Sequence, residues 1–365
     1  MAKSLCRSRL HRRLLLVYSI GGAREMKTKA AVLRSVGGPL VIEELEIPKL
    51  APGQILVEIL TSGLCRSQLN EIAGRKGKEF MPHLLGHEAS GVVVEVGKNV
   101  KKVKPDDYVV CSWIKGEGLD VSMVKYRTSD GSVVNAGAVA TFCGFAVISE
   151  NRLVKVPKSV EPAAAALLGC AVPTGAGIVD RLDAKPGQKL AVLGIGGIGA
   201  SALLRARSLG LSCVGVDLKE WKLLWLGELG LNIKAQEFSE FISSESNRHF
   251  DFAIECSGNK RAMEEAFNCL KNTGTAIIAG NLEPGEKISI DPFELVKGKK
   301  LRGTWGGECF LDQDIPFYAS EYLKGNFPIE KLITEVYSFD QINQGLKDLE
   351  EGRLIRGVVR ISERC

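Results

Sequence analysis

Several things are missing from this sequence, and each absence narrows what it can be. No apolar run reaches the ~18 residues that a membrane-crossing helix needs, so a membrane protein of that kind is not expected. Ten cysteines are present, at 6, 65, 111, 143, 170, 213, 256, 269, 309 and 365, but no two form a CxxC pair. That argues against a secreted disulfide scaffold and for a reducing compartment, so a cytoplasmic location is expected. Aromatic residues make up only 6% and are not interleaved with a basic face, and the net charge is only +5. Nucleic acid is therefore not an expected partner. Internal repeats and low-complexity tracts are absent too, which excludes solenoids and linker-like chains.

What remains has the composition of an ordinary folded protein. Apolar residues are 45% and charged residues 25% of 365, enough for two domains with sizeable cores. Residues 1–25 stand apart, with Lys3, Arg7, Arg9, Arg12, Arg13 and Arg24 against the single acid Glu25. An Arg-rich, acid-poor start is compatible with an organellar transit peptide. The plainer expectation is an extension, or a mis-assigned start, ahead of a natural beginning at Met26. The segment is set aside from the fold.

From Met26 to about Pro157 the pattern is β-rich. Short apolar runs such as Ile55–Leu60 and Gly91–Val96 are punctuated by Gly and Pro. Ala163 to Leu168 reads as helix. From Gln188 to about Gly307, strands alternate with helices: Lys189–Leu193, a helix from Gly197 to Leu209, Cys213–Val216, Asp251–Ile254 and Gly274–Ala279. A continuous apolar strand such as Lys189–Leu193 belongs to a sheet covered on both faces, and the alternation predicts a doubly wound parallel sheet. The tail carries an amphipathic helix from Ile342 to Glu351 and a last strand from Gly357 to Ile361, more like the first segment than the middle one.

The strongest single motif is Gly194-Ile195-Gly196-Gly197-Ile198-Gly199, directly after the buried strand and opening a helix. Gly194 allows a tight turn, Gly196 lets backbone approach a pyrophosphate, and Gly199 permits close helix–strand contact. The helix start offers its free N–H groups to phosphate. An acid lies about 20 residues further on, as this fingerprint requires. It is Asp217, whose carboxylate can bind both ribose hydroxyls and would repel a 2′-phosphate. NAD is thus expected over NADP, although Lys219 and Lys222 nearby soften the preference.

Outside the middle segment three pieces stand out: Gly63-Leu64-Cys65-Arg66-Ser67, Gly86-His87-Glu88-Ala89-Ser90-Gly91 and Leu168-Gly169-Cys170-Ala171-Val172-Pro173-Thr174-Gly175. Two thiolates and one imidazole with a fourth position open make a catalytic zinc arrangement. Spacing alone does not establish it, because the three residues are far apart and a lone Cys or His is more often a structural residue than a ligand.

These pieces, the glycine motif and the ending Ile355-Arg356-Gly357-Val358-Val359 occur in the order found in the zinc-containing medium-chain alcohol dehydrogenases. The chain resembles that family from about Met26 to Ile361. The resemblance implies an α/β protein: a β-rich, chaperonin-10-like catalytic zinc domain over 26–172 and 309–365, with an NAD-binding Rossmann domain over 173–308. It implies a hydride transfer between an alcohol, or its aldehyde or ketone, and NAD. It also implies Cys65, His87 and Cys170 as catalytic zinc ligands, with Glu88 as the acid behind the metal. Ser67 resembles the hydroxyl that binds the alcohol and begins its deprotonation. Arg66 and Arg356 resemble pyrophosphate contacts, Thr174 a residue beside the nicotinamide, and Lys222 a contact of the adenosine ribose. Ile198 falls with the glycines of the phosphate turn. Trp113, Phe142 and Cys143 fall where the family lines its substrate pocket, with ordinary core packing as the alternative for Trp113 and Phe142. Family members are homodimers or homotetramers.

Three departures from the family pattern matter. Gln68 stands where an Asp commonly supports the ligand histidine, so the imidazole gains no added negative charge. Asn70 stands where many members have a His that passes the proton to solvent, and an amide cannot titrate there. The four-cysteine lobe for a structural zinc is missing after Cys111-Ser112-Trp113, so one zinc per chain is expected. Rival readings are a zinc-free, NADPH-using quinone or enoyl reductase of the same fold, which would lack the Cys–His–Cys set; a polyol or sugar dehydrogenase; and a non-catalytic NAD-binding protein, for which Gln68 and Asn70 speak.

Overall fold

Strand character in the first third comes from alternation. In Lys27–Leu33 the two lysines point out while Thr28 and Ala30 to Leu33 are buried. A computed structural model describes residues 26–362 apart from 76, 122 and 232; both readings of residues 1–25 fall outside the described residues. In chain order the first elements are β1 (Lys27–Leu33), β2 (Leu40–Glu46), β3 (Gln54–Gly63), α1 (Arg66–Ile72), β4 (His83–Leu84), β5 (Glu88–Val96), β6 (Tyr108–Ser112), β7 (Val124–Arg127), β8 (Val133–Ala136), β9 (Phe145–Ser149) and β10 (Leu153–Lys155). There follow α2 (Pro162–Leu167), α3 (Ala171–Asp180), β11 (Lys189–Leu193), α4 (Gly197–Ser208), β12 (Ser212–Asp217), α5 (Glu220–Glu228), β13 (Lys234–Glu237), α6 (Phe238–Ser243), β14 (Phe250–Glu255), α7 (Lys260–Asn268), β15 (Leu270–Ile278), α8 (Pro292–Val296), β16 (Lys300–Gly303), α9 (Leu311–Leu323), β17 (Ile333–Ser338), α10 (Ile342–Glu350) and β18 (Arg356–Arg360).

Three sheets result. β1, β2, β7, β8 and β4 close a barrel, and β10-β6-β5-β3-β18-β17, with β9 also on β3, make a second, mainly antiparallel sheet. The tail strand enters here, Val358 opposite Gly63 in antiparallel register with β3. The third sheet runs β13-β12-β11-β14-β15-β16, parallel throughout. Renumbered within the sheet this is 3-2-1-4-5-6, the Rossmann order, which reverses direction between the paired strands β11 and β14. β11 is buried from Leu190 to Leu193, as its unbroken apolar run predicts.

The differences from the pattern-based reading have simple causes. β13 and β16 are short and mostly polar, Lys-Ala-Gln-Glu and Lys-Leu-Arg-Gly, so hydrophobic periodicity gives no sign of either. β15 starts at Leu270 rather than Gly274, because Leu270 pairs with Phe250 before the register shifts. Helix α3 joins the two kinds of sheet. It is buried from Ala171 to Val179, and a Cβ on Gly175 would lie 2.2 Å from the Ile198 carbonyl oxygen of α4. Only hydrogen at that position lets α3 lie on the helix that opens the parallel sheet.

Candidate functional site

Each chemically useful side chain sits at the start or end of an element. Cys65 is the residue before α1, in extended conformation at φ −131° and ψ 148°. His87 and Glu88 lead into β5. Cys170 precedes α3. Gly169 before it is obligatory, since a Cβ there would lie 2.3 Å from the Cys111 carbonyl oxygen. These ends converge: a ligand atom from each of Cys65, His87, Glu88 and Cys170 lies within 4.8 Å of the others. Cys65 and His87 are half-buried while Glu88 and Cys170 are buried.

The cluster is electrostatically tense. The hydrogen bond with Cys170 is the largest influence on Cys65 and holds its thiol well below the usual range, with burial opposing and His87 assisting. The same bond, with burial behind it, pushes Cys170 well up. Burial alone would lower His87, but the hydrogen bond and charge of Cys65 outweigh it, and its pKa is raised. Burial raises Glu88, opposed by the charge of Arg356. Arg356 donates from Nη2 to Glu88 Oε1, and both side chains are almost wholly buried, at 4% and 0% exposure. Two thiols, an imidazole and a carboxylate in close range are a donor set that fits a zinc ion. Among the described residues this is the one such group.

Behind His87 stands Gln68, fully buried. Its Oε1 accepts from Cys65 N at 2.7 Å and its Nε2 lies 2.6 Å from His87 Nδ1. Ser67 Oγ is 3.3 Å from the same ring nitrogen. Asn70 is half-buried on α1.

The glycine turn lies alongside. Gly194 has φ +96°, and a Cβ on it would meet Ser257 at 2.8 Å. A Cβ on Gly199 would fall 2.1 Å from the Gly194 carbonyl oxygen, whereas one on Gly196 would meet nothing within 4 Å. Of these three positions only Gly196 has open space where a Cβ would be. Gly197 faces Arg356, whose Cδ would be 2.4 Å from a Cβ there. Arg356 thus touches the glycine turn while its guanidinium bonds to Glu88. Asp217 Oδ2 accepts from Ile195 N at 2.7 Å and Oδ1 from Lys219 N at 3.0 Å. Lys222 Nζ lies 3.6 Å from Asp217 Oδ2. Ile198 is half-buried and Arg66 exposed. Thr174 Oγ1 donates to the Cys170 carbonyl at 2.7 Å.

One part of the sequence reading needs correction. Phe142 and Cys143 are 0% exposed and belong to the apolar core of the barrel side. Cys143 Sγ donates to the Phe145 carbonyl at 3.3 Å, and burial pushes its thiol far up. Side chains with no accessible surface cannot line an open cleft. Trp113 is half-buried and stacks edge-on with Trp305, ring centroids 5.3 Å apart at 85°. The sequence reading passed over Trp305, although it is 79% exposed. Its only local signal was a large aromatic before the Gly306-Gly307 pair.

Comparison with known proteins agrees with this geometry. Residues 51–158 match the family model described as alcohol dehydrogenase GroES-like domain. Residues 197–322 match that of zinc-binding dehydrogenase. The chain is 30% identical over 373 residues to S-(hydroxymethyl)glutathione dehydrogenase of Paracoccus denitrificans, covering 92% of this chain and 100% of that protein. Among solved structures, an alcohol dehydrogenase zinc-binding domain protein from Burkholderia ambifaria superposes with TM-score 0.86 at 27% identity, over 93% of this chain and 100% of the other. Benzyl alcohol dehydrogenase from Acinetobacter calcoaceticus does so with TM-score 0.83 at 27% identity, over 92% and 100%.

Proposed function

The chain belongs to the zinc-containing medium-chain alcohol dehydrogenases, zinc-dependent and NAD-linked alcohol oxidoreductases, and on that premise we propose which of its residues do the work. One zinc per chain is held by Cys65, His87 and Cys170, with Glu88 behind it. The observation that carries this is the convergence of four ligand atoms within 4.8 Å of one another. When bound, zinc polarises a substrate oxygen and the nicotinamide carries the hydride.

The other roles belong to the protein. The Ser67 hydroxyl accepts the proton that leaves the substrate hydroxyl while passing its own proton to water, because the Asn70 amide cannot carry one further. Arg356 balances the buried charge of Glu88 and closes the site against the phosphate turn. Gly196 leaves room for the pyrophosphate, and Arg66 contacts it from the exposed side. Asp217 binds the adenosine ribose hydroxyls with Lys222 beside it, and disfavours a 2′-phosphate. Thr174 fixes the Cys170 carbonyl near the nicotinamide. Trp113, with Trp305, forms an apolar wall for the substrate.

Residues 26–172 and 309–365 form the catalytic domain and 173–308 the nucleotide domain, with the reaction in the crevice between them. The working protein is a homodimer or homotetramer with no nucleic-acid partner. Among the described residues no helix is long and apolar enough to cross a membrane. A reducing, cytoplasmic setting suits the eight described cysteines, all free.

The test combines metal analysis with NADH formation across aliphatic, aromatic and polyol alcohols. Cys65→Ser is expected to lose the bound zinc and on the order of 10³-fold or more in turnover, the scale of losing a principal electrostatic contact. A Cys65→Ser protein that keeps full activity refutes the reading.

A further inference from the structure

We propose that Glu255 is a positioning residue for the cofactor: an oxygen of its buried side chain holds the turn after β14 against the glycine turn, and so shapes the seat of NAD. The inference rests on the reading of the glycine turn and Asp217 as the nucleotide site.

Glu255 is the last residue of β14 and is 0% exposed. β14 and its neighbour β11 are the strands between which the sheet order reverses, the place where such sheets take their ligands. Burying an acid is costly unless hydrogen bonds compensate. Here Oε1 accepts three, from Ser257 N at 2.6 Å, from Gly258 N at 2.9 Å and from the Ser257 hydroxyl. The Glu255 carbonyl accepts from Ala279 N at 2.9 Å and from Gly280 N at 3.2 Å. One residue thus holds two turns, the one after β14 by its side chain and the one after β15 by its main chain. Those turns have no slack. A Cβ on Gly280 would lie 2.2 Å from Gly258 N, and one on Gly258 would lie 2.6 Å from the Asn281 carbonyl oxygen. On the other side, a Cβ on Gly194 would lie 2.8 Å from Ser257 N. The turn at Ser257 and Gly258 is wedged between the glycine turn and the turn after β15.

Among the described residues the other oxygen, Oε2, has no partner. Burial raises the Glu255 pKa, against the donors of Ser257, Gly258 and Asn259. What the turn requires of residue 255 is therefore an acceptor at the Oε1 position rather than a full charge. Glutamine offers that oxygen, since backbone N–H groups can only donate and fix which end of the amide meets them. Methionine has similar length and no such acceptor, and aspartate is one carbon short. Without the acceptor, the N–H groups of Ser257 and Gly258 lose their partner. The turn then relaxes in the free protein, and NAD has to restore it on binding, which costs affinity. Glu255 lies outside the cluster of Cys65, His87, Glu88 and Cys170, so the chemistry of the bound state is not its concern.

The experiment uses the full-length, zinc-loaded protein and three variants, Glu255→Gln, Glu255→Met and Glu255→Asp. NADH affinity is read from quenching of tryptophan fluorescence, and steady-state kinetics give KM for NAD and kcat separately. Glu255→Met is expected to bind NADH about tenfold or more weakly, the scale of a buried donor left unpaired. Its KM for NAD should rise in step, while kcat at saturating NAD stays within about threefold of wild type. Glu255→Gln is expected to stay within about threefold of wild type in NADH affinity. Glu255→Asp keeps the charge but not the reach, and is expected to follow Glu255→Met; it carries the same comparison should the methionine variant not fold. Wild-type NADH affinity in Glu255→Met or Glu255→Asp overturns the proposal, and so does a Glu255→Gln protein as weak as Glu255→Asp. A fall in kcat with KM unchanged overturns it too. If instead Gly196→Val binds NAD as wild type does, the nucleotide assignment itself has failed, and this inference falls for that separate reason.

Discussion

Gly196 is a glycine that the fold by itself does not need. Its backbone is extended at φ −107°, open to any residue, and a Cβ there meets nothing within 4 Å. Gly199 is the opposite case, with the Gly194 carbonyl 2.1 Å from its notional Cβ. The two glycines separate ligand from fold. Gly196→Val is expected to leave the stability of the nucleotide-free protein within about 0.5 kcal/mol of wild type. It should weaken NAD by at least about tenfold, equivalent to about 1.4 kcal/mol. Gly199→Ala is expected to cost about 1–3 kcal/mol with no nucleotide present, as overpacking does. Denaturant melts with and without NAD read both quantities, and a Gly196→Val protein that binds NAD normally excludes the pyrophosphate role.

At the scale of elements, the segment that lacks the four-cysteine lobe is held by a carboxylate instead. Glu150 Oε1 accepts from Lys101 N at 2.6 Å and Lys102 N at 2.9 Å, and Oε2 accepts from Leu119 N at 2.9 Å. Asp312 Oδ2 accepts from Glu117 N at 2.6 Å and Oδ1 pairs with Lys102. Burial pushes Glu150 up, but its three backbone donors outweigh that and its pKa is lowered. A depressed folded-state pKa contributes stability above the unfolded value, near 4.3, that is lost as pH falls through the folded one. Glu150→Gln keeps one acceptor oxygen and presents NH2 to a backbone N–H. It is expected to destabilise by about 1–2 kcal/mol at neutral pH. The wild-type and variant stability curves should converge on acidification below about pH 4. Parallel curves down to the acid transition would show that the charge of Glu150 does not hold the loop.

Across the whole molecule, Arg356 ties together parts made by distant stretches of chain. It lies on β18, donates to Glu88 on β5, and packs against Gly197 at the start of α4. Removing one partner strands a charge in a dry site, which typically costs about 3–5 kcal/mol, whereas removing both costs much less. Arg356→Met is therefore expected to destabilise by about that amount, and Glu88→Gln added to it should restore a large part. Denaturation of the two variants decides the point. If the double variant is as unstable as the single one, Arg356 acts through packing and not through charge.

The sequence by itself determined the centre of the parallel sheet and its glycine turn, because the information is local. An unbroken apolar strand, three glycines with separate steric duties and Asp217 at the next strand end lie within one strand–helix–strand unit. The cluster of Cys65, His87 and Cys170 was legible only through the resemblance to a family, since nothing near Cys65 in sequence announces His87 or Cys170. Only the tertiary structure decided what each side chain does with its polar atoms. It turned Gln68 from a mere departure into the partner of both Cys65 and His87, brought Trp305 onto Trp113, and closed Phe142 and Cys143 into the core. Residue type says which atoms can donate or accept. Whether they meet a partner, a ligand or a wall depends on contacts between elements far apart along the chain, and those exist only once the sheets have packed.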